Sequence, residues 1–141
     1  MIGDVCTKPV VTVQADTTVE EAARLMRAKN VGALVVTNNG KPKGILTDRD
    51  ITVNVVARGQ DPAAVHVGDV MQKNLSVIRE DKGILDATRV LSQKGVRRLP
   101  VVDKKGKLHG IIALDDLLML LGSEMGLVSA ALSRGLGRAQ I

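Results

Sequence analysis

The feature that most constrains this chain is that it repeats itself. EEAARLMRAKNVGALVV (20–36) resembles LDATRVLSQKGVRRLPVV (85–102) at an offset of 65, with Ala22, Arg24, Lys29, Val31, Leu34 and Val36 meeting Ala87, Arg89, Lys94, Val96, Leu99 and Val101. Asp4-Val5 returns as Asp69-Val70, and one added residue in a later loop sets Gly40, Lys41, Gly44, Ile45 and Asp50 against Gly106, Lys107, Gly110, Ile111 and Asp116. Such a period marks a supersecondary unit that needs its neighbour. Each copy has about sixty residues, a size at which an isolated core is marginal. The two are therefore expected to pack through their sheets and share one larger core.

Both copies read as β-α-β-β-α. Short apolar runs at Val10–Val13 and Leu75–Ile78 read as strands. Thr17 or Thr18 is placed to cap a helix with Glu20 and Glu21 in its first turn, and Val19, Ala22, Ala23, Leu25 and Met26 form its apolar face. The β-rich runs Ala33–Thr37 and Leu99–Asp103, the turns NNGK and KKGK, and the second runs Gly44–Leu46 and Gly110–Ile112 spell hairpins. A helix over Asp50–Ala57 or Asp115–Leu121 closes each copy. The sequence thus predicts an α/β (α+β) fold with a first repeat at 1–58, a linker at 59–67 (GQDPAAVHV, with Asp61-Pro62 as turn signal), a second repeat at 68–122 and a helical tail at 123–141.

Where the first hairpin runs into its last helix the sequence is GILTDRDI (44–51). Thr47-x-x-Asp50 has the spacing of a capping box, and an aspartate in a first turn helps any helix. A carboxylate there is also suited to accept both protons of a ribose diol. In the second copy Thr47 becomes Ala113, which has no hydroxyl to cap with, yet Asp116 stays, which weakens the claim that this aspartate is only a cap; Asp115 is a further cap candidate. Arg97 and Arg98, in VRRLPVV, are either a solvated basic pair at a strand start or a bidentate grip on phosphate. Arg49 pairs with Asp48 or meets phosphate.

Two β-α-β-β-α copies each ending in G-h-h-x-x-x-D, with GVRRLPVVD in the second, resemble a tandem pair of cystathionine-β-synthase (CBS) domains over roughly residues 1–122. The resemblance implies a pseudo-twofold module with two clefts between the copies. Such clefts bind adenosyl ligands (AMP, ADP, ATP, S-adenosylmethionine or NAD), the modules pair into homodimers, and the role is regulatory sensing passed to a partner protein rather than catalysis. It implies that Asp50 and Asp116 hold ribose, with Thr47 assisting at the first, and that Arg97 and Arg98 face the phosphates of the Asp50 cleft. The adenine edge would meet the backbone near Leu75-Ser76-Val77 in that cleft and near Val10-Val11-Thr12 in the other, with Val96 and Val31 as apolar walls. Pro100, which also shapes its strand, and Ala33 complete the candidate set. Ala113 and the uncharged Gly32-Ala33 make the Asp116 cleft the weaker one. No cofactor is required; Mg²⁺ would enter with a nucleotide's phosphates beside Asp48/Asp50 or Asp115/Asp116.

Composition narrows the other classes. The chain has no Phe, Trp or Tyr, so its core is aliphatic and it lacks the stacking platforms used for single-stranded nucleic acids. The net charge of +5 favours anionic partners, and a basic nucleic-acid-binding protein is the alternative function, without a concentrated basic stripe to support it. An enzyme ranks last, since no nucleophile–base pair, Walker-type loop or metal set stands out; His66 and His109 lie far apart. The lone Cys6 excludes an internal disulfide, fits a reducing compartment and reads as inert. The N-terminus has no signal-peptide pattern, and the longest apolar run, Leu117–Leu121, is too short to span a bilayer, so a cytoplasmic protein is expected. In the tail, Met125, Val128, Leu132 and Leu136 form an apolar stripe, with Arg134 and Arg138 on another side, expected to pack on the body or on a twin subunit. Gly135 and Gly137 are expected to break or fray it beyond Ser133.

Overall fold

The computed structural model describes residues 1–139, with side chains through 135. The elements are α1 (Ile2–Val5), β1 (Thr12–Val13), α2 (Val19–Lys29), β2 (Ala33–Asn38), β3 (Lys41–Thr47), α3 (Asp48–Ile51), a π-helical turn (Thr52–Val56), α4 (Val67–Val70), β4 (Ile78–Arg79), α5 (Ile84–Lys94), β5 (Arg98–Val102), β6 (Leu108–Ala113) and α6 (Leu114–Ala139). Each copy builds a three-stranded sheet, β1-β2-β3 and β4-β5-β6. In both, the first strand runs parallel to the second and the second antiparallel to the third, with Leu34 opposite Leu46 and Leu99 opposite Ile112. Even the irregularities repeat at the offset of 65, between Val36 and Thr37 and between Val101 and Val102.

Local chemistry accounts for the helices. The Thr18 hydroxyl accepts from the Glu21 N–H (3.2 Å) and the Glu21 carboxylate from the Thr18 N–H (3.3 Å), a reciprocal box that satisfies two orphan donors. Asn30 and Gly95 end α2 and α5 in the left-handed conformation, the usual way to stop a helix without leaving carbonyls unpaired.

Two cores form rather than one. The first holds Val13, Ala22, Met26, Leu34, Val36 and Leu46; the second holds Ile78, Ala87, Leu91, Leu99, Val101, Ile112 and Leu117. Alternation along the strands explains this: one face of each sheet meets its own helices. The opposite faces, with Val35 and Ile45 in one sheet and Pro100 and Val102 in the other, are also buried, and the sheets pack there. The Leu108 N–H donates to the Gly40 carbonyl (2.8 Å) across the join.

Each core is completed by the other copy's leading segment. Ile2 and Cys6 belong to the second core and Val67 to the first. Ile2 N–H donates to Lys82 O and Gly3 N–H to Glu80 O, while Thr7 exchanges two backbone bonds with Ile111. At the same offset Val67 N–H donates to Thr17 O, Gly68 N–H to Ala15 O, and Gln72 exchanges two bonds with Ile45. Residues 1–7, assigned by sequence to the first copy, thus pack on the second, and 67–72 pack on the first.

Cys6 is buried and its thiol donates to the Gly3 carbonyl (3.5 Å); burial pushes its pKa up. With less thiolate present, Cys6 is expected to alkylate with iodoacetamide at pH 8 more slowly than in the urea-unfolded chain, as followed by intact mass. Equal rates would contradict its placement.

The last helix departs from expectation. It does not end near 121 but runs unbroken to Ala139, because a glycine inside a helix costs only about 1 kcal/mol, which the flanking Leu, Met and Ala residues offset. Nor does the stripe pack on the body: Met125, Val128 and Leu132 are exposed. The side chains of Leu136, Gly137 and Arg138 lie outside the described residues. Leu114–Gly135 is also long and apolar enough to cross a membrane by length and mean hydropathy (1.3), which the sequence reading missed by stopping the helix at Gly122.

Candidate functional site

Between the copies lies a cavity of about 290 Å³, near the lower end of small-molecule sites. One wall is the β3–α3 corner: Ile45, Thr47, Asp48 and Arg49. The other is the second copy: Gln72, Asn74, Leu75 and Ser76 from the crossing segment, then Gly95, Val96, Arg97 and Arg98 from the entry to β5. This corner and its counterpart in the second copy are each fixed by one bond, at equivalent positions. The Asp48 N–H donates to Gly32 O (3.0 Å), and the Leu114 N–H to Arg97 O (2.8 Å); each pins the start of a closing helix to the strand entry of its own copy. Three guanidinium groups and one carboxylate border the cavity, so its field favours an anion.

Thr47, Ser76, Val96, Arg97 and Arg98, five of the candidates, come together on this wall. Asp50 stands behind the wall rather than on it. Its Oδ2 accepts from the Thr47 N–H (2.8 Å), the Thr47 hydroxyl (2.9 Å) and the Gln72 amide (3.2 Å), whereas Oδ1 has only that amide, at 3.3 Å. The Asp50 N–H in turn donates to the Thr47 hydroxyl (3.2 Å). The pair is thus a complete capping box, and Oδ1 keeps acceptor capacity. Asp116 behaves likewise: its Oδ2 accepts from the Ala113 N–H (3.2 Å). Retention of Asp116 beside an alanine therefore does not argue against capping, because this half of the box needs no hydroxyl.

The remaining candidates are dispersed. Asp116 borders a separate hollow of about 280 Å³ with Val5, Thr7, Met119, Leu120 and Ser123. Val11 and Val31 pack against the first core. Thr12 and Ala33 are ladder residues opposite Val35 and Thr47, and none of these four lines either hollow. Pro100 is buried opposite Ile111. Val77 points instead into an outer groove with Arg79, Lys82 and Arg89. Arg97 approaches Asp115 at 3.7 Å, both exposed, a pairing worth little. Gln72 and Asn74 were not anticipated; the available signal was that Gln72 matches Thr7 at the offset of 65, so both lie on crossing segments. A larger hollow, about 500 Å³, is bordered by Asn54 and Arg58 of the first copy, Gln60, Ala64 and Val65 of the linker, and Asp69 and Val70 of the segment that crosses from the second copy; none of the sequence-predicted site residues lines it. Among the described residues no three His, Cys, Asp or Glu side chains converge to hold a metal.

Comparison with known proteins agrees with this architecture. The family model described as CBS domain matches twice, over residues 2–56 and 67–123. The CBS domain-containing protein YhcV of Bacillus subtilis is 41% identical over 116 residues, 82% of this chain and 81% of that protein. An uncharacterized protein of Methanopyrus kandleri, MK0525, is 36% identical over 120 residues, 84% of this chain but only 61% of that longer protein. Among solved structures, the CBS domain pair of protein MJ0100 in complex with 5′-methylthioadenosine and S-adenosyl-L-methionine superposes with a TM-score of 0.77 at 25% identity, over 88% of this chain and 97% of that one.

Proposed function

The chain belongs to the CBS-domain family, a pair of which forms a regulatory module, and from that premise we propose that the cavity between its copies binds an adenosyl nucleotide and passes the occupancy to a partner protein. The observation that carries this reading is the composition of the cavity wall. Thr47 and Asp48 come from one copy and Ser76, Val96, Arg97 and Arg98 from the other, so a ligand filling it touches both. The complex of the MJ0100 domain pair with two adenosyl compounds supports the same chemistry.

In this reading the base lies against Ile45, Leu75 and Val96, and the anionic end meets Arg97 and Arg98. The ribose diol reaches Asp50 Oδ1 by displacing the Gln72 amide, and a divalent cation enters only with the phosphates. Because the walls belong to different copies, the ligand favours whichever relative packing fits it best. A ligand acts only through such a difference between states, and the crossing segment that carries Gln72 is the element placed to relay it. An intracellular nucleotide would be met in the cytoplasm.

The test is thermal unfolding against AMP, ADP, ATP, S-adenosylmethionine, 5′-methylthioadenosine, NAD and an oligonucleotide, read by circular dichroism because the chain has no Trp or Tyr. A ligand present at about a hundred times its dissociation constant should add roughly 2.7 kcal/mol. Stabilisation by the oligonucleotide alone, falling steeply with salt, would replace this reading with nucleic-acid binding.

A further inference from the structure

The lysines, dispersed along the sequence, are not dispersed in space. The turns of the two hairpins, at 38–41 and 104–107, touch at the join between the copies. The Leu108 N–H donates to the Gly40 carbonyl (2.8 Å), and a Cβ at Gly40 would stand 3.8 Å from the Lys107 Cδ. This contact gathers Lys41 and Lys43 of β3 with Lys104, Lys105 and Lys107, half of the chain's ten lysines. All five are exposed, and among the described residues none has an ion-pair partner. The nearby carboxylates are engaged elsewhere. Asp103 accepts from the backbone N–H groups of Lys105 and Lys107 (2.8 and 2.9 Å), which shapes its own turn, and Glu80 faces His109 at 3.1 Å. The net charge of the whole chain is +5, so five lysines beside one aspartate put much of that excess in one place.

We propose that this patch docks the protein on an anionic lipid surface. Each lysine close to such a surface strengthens attachment about fivefold, without any buried contact area. Lysine is a compact, hydrated point charge, which suits a diffuse layer of headgroups. The patch has no arginine, whose planar fork suits phosphates held at fixed positions along a nucleic acid. Nor do two short turns supply the roughly 600–1,000 Å² that even one DNA-binding module buries. A protein partner fits less well too, since no exposed large apolar side chain stands on these turns to centre an interface. With charge alone holding it, attachment is reversible and set by salt. The inference does not depend on nucleotide binding.

Co-sedimentation of the full chain with vesicles tests it, using phosphatidylcholine alone and phosphatidylcholine mixed about two to one with phosphatidylserine. The variant is Lys104→Gln/Lys105→Gln/Lys107→Gln; the bonds to Asp103 come from the backbone, so the turn should keep its shape, as checked by circular dichroism. The control is Arg27→Gln/Lys29→Gln/Lys94→Gln, which removes the same charge from the ends of α2 and α5, where β2 and β5 begin, at the opposite end of those strands from the turns. The expected result is binding of the wild type to the mixed vesicles only, release when salt rises from about 0.1 M to about 1 M, about a hundredfold weaker binding by the turn variant and little change in the control. Binding to phosphatidylcholine alone that resists salt would assign the contact to the apolar side of α6 and overturn the proposal. Equal losses in variant and control, or a wild type that binds a DNA duplex but neither kind of vesicle, would overturn it as well.

Discussion

Gly44→Val and Gly110→Val are each expected to lower the unfolding free energy by about 3 kcal/mol, the upper part of the usual range for forcing atoms into a packed site. Both glycines open the G-h-h motif on the last strand of a copy, and both lie beneath the segment that crosses from the other. A Cβ at Gly44 would stand 2.8 Å from the Gln72 carbonyl oxygen and 2.8 Å from the Met71 sulfur. At Gly110 it would collide with the Cys6 sulfur and stand 3.0 Å from the Thr7 carbonyl oxygen. A long side chain can swing aside, but these backbone oxygens belong to the bonded pairs Gln72–Ile45 and Thr7–Ile111, so relief means breaking the ladder. For a chain whose total stability is about 5–15 kcal/mol, that is a large fraction. Urea unfolding followed by circular dichroism measures it. A cost below about 0.5 kcal/mol at both positions would mean that the crossing segments do not lie there.

The second large effect is expected from Arg97→Ala/Arg98→Ala. Both side chains are exposed and on the cavity wall, and among the described residues the one ion-pair partner of Arg97 is Asp115, at 3.7 Å. Stability should therefore change little. Ligand selectivity should change much. Charge-assisted bonds to phosphate contribute about 1.5–3 kcal/mol each, and exposure and salt reduce that, so roughly a hundredfold loss of affinity for AMP, ADP or ATP is expected by calorimetry. 5′-Methylthioadenosine, which carries no phosphate, should bind the variant as it binds the wild type. Equal losses for both kinds of ligand would place the arginines elsewhere in the mechanism.

Much of the fold could be read in the chain because the signals are local. The apolar positions of α2 and α5, the Thr18 box and the glycines of the two hairpin turns each act within a few residues, and the offset of 65 carries one copy's reading to the other. The candidate site was legible in part for the same reason. Thr47 lies on the β3–α3 corner, and Arg97 and Arg98 on the strand entry, wherever the copies go.

Symmetry hid the rest. Because the copies are alike, Met1–Thr7 and Val67–Gln72 would suit either partner, and no local pattern tells which sheet each will join. Only the assembled structure sets residues 1–7 on the second copy, brings Gln72 to the Asp50 carboxylate and divides the interior into two cores. The run of α6 through Gly122 was hidden for a different reason: one glycine's penalty is small beside the helix that surrounds it. What the sequence determined alone was the repeated unit and the residues it presents at its corners. What the tertiary structure decided was which copy each segment completes, since that choice depends on contacts between residues distant in the chain, from Gln72 with Ile45 to Thr7 with Ile111.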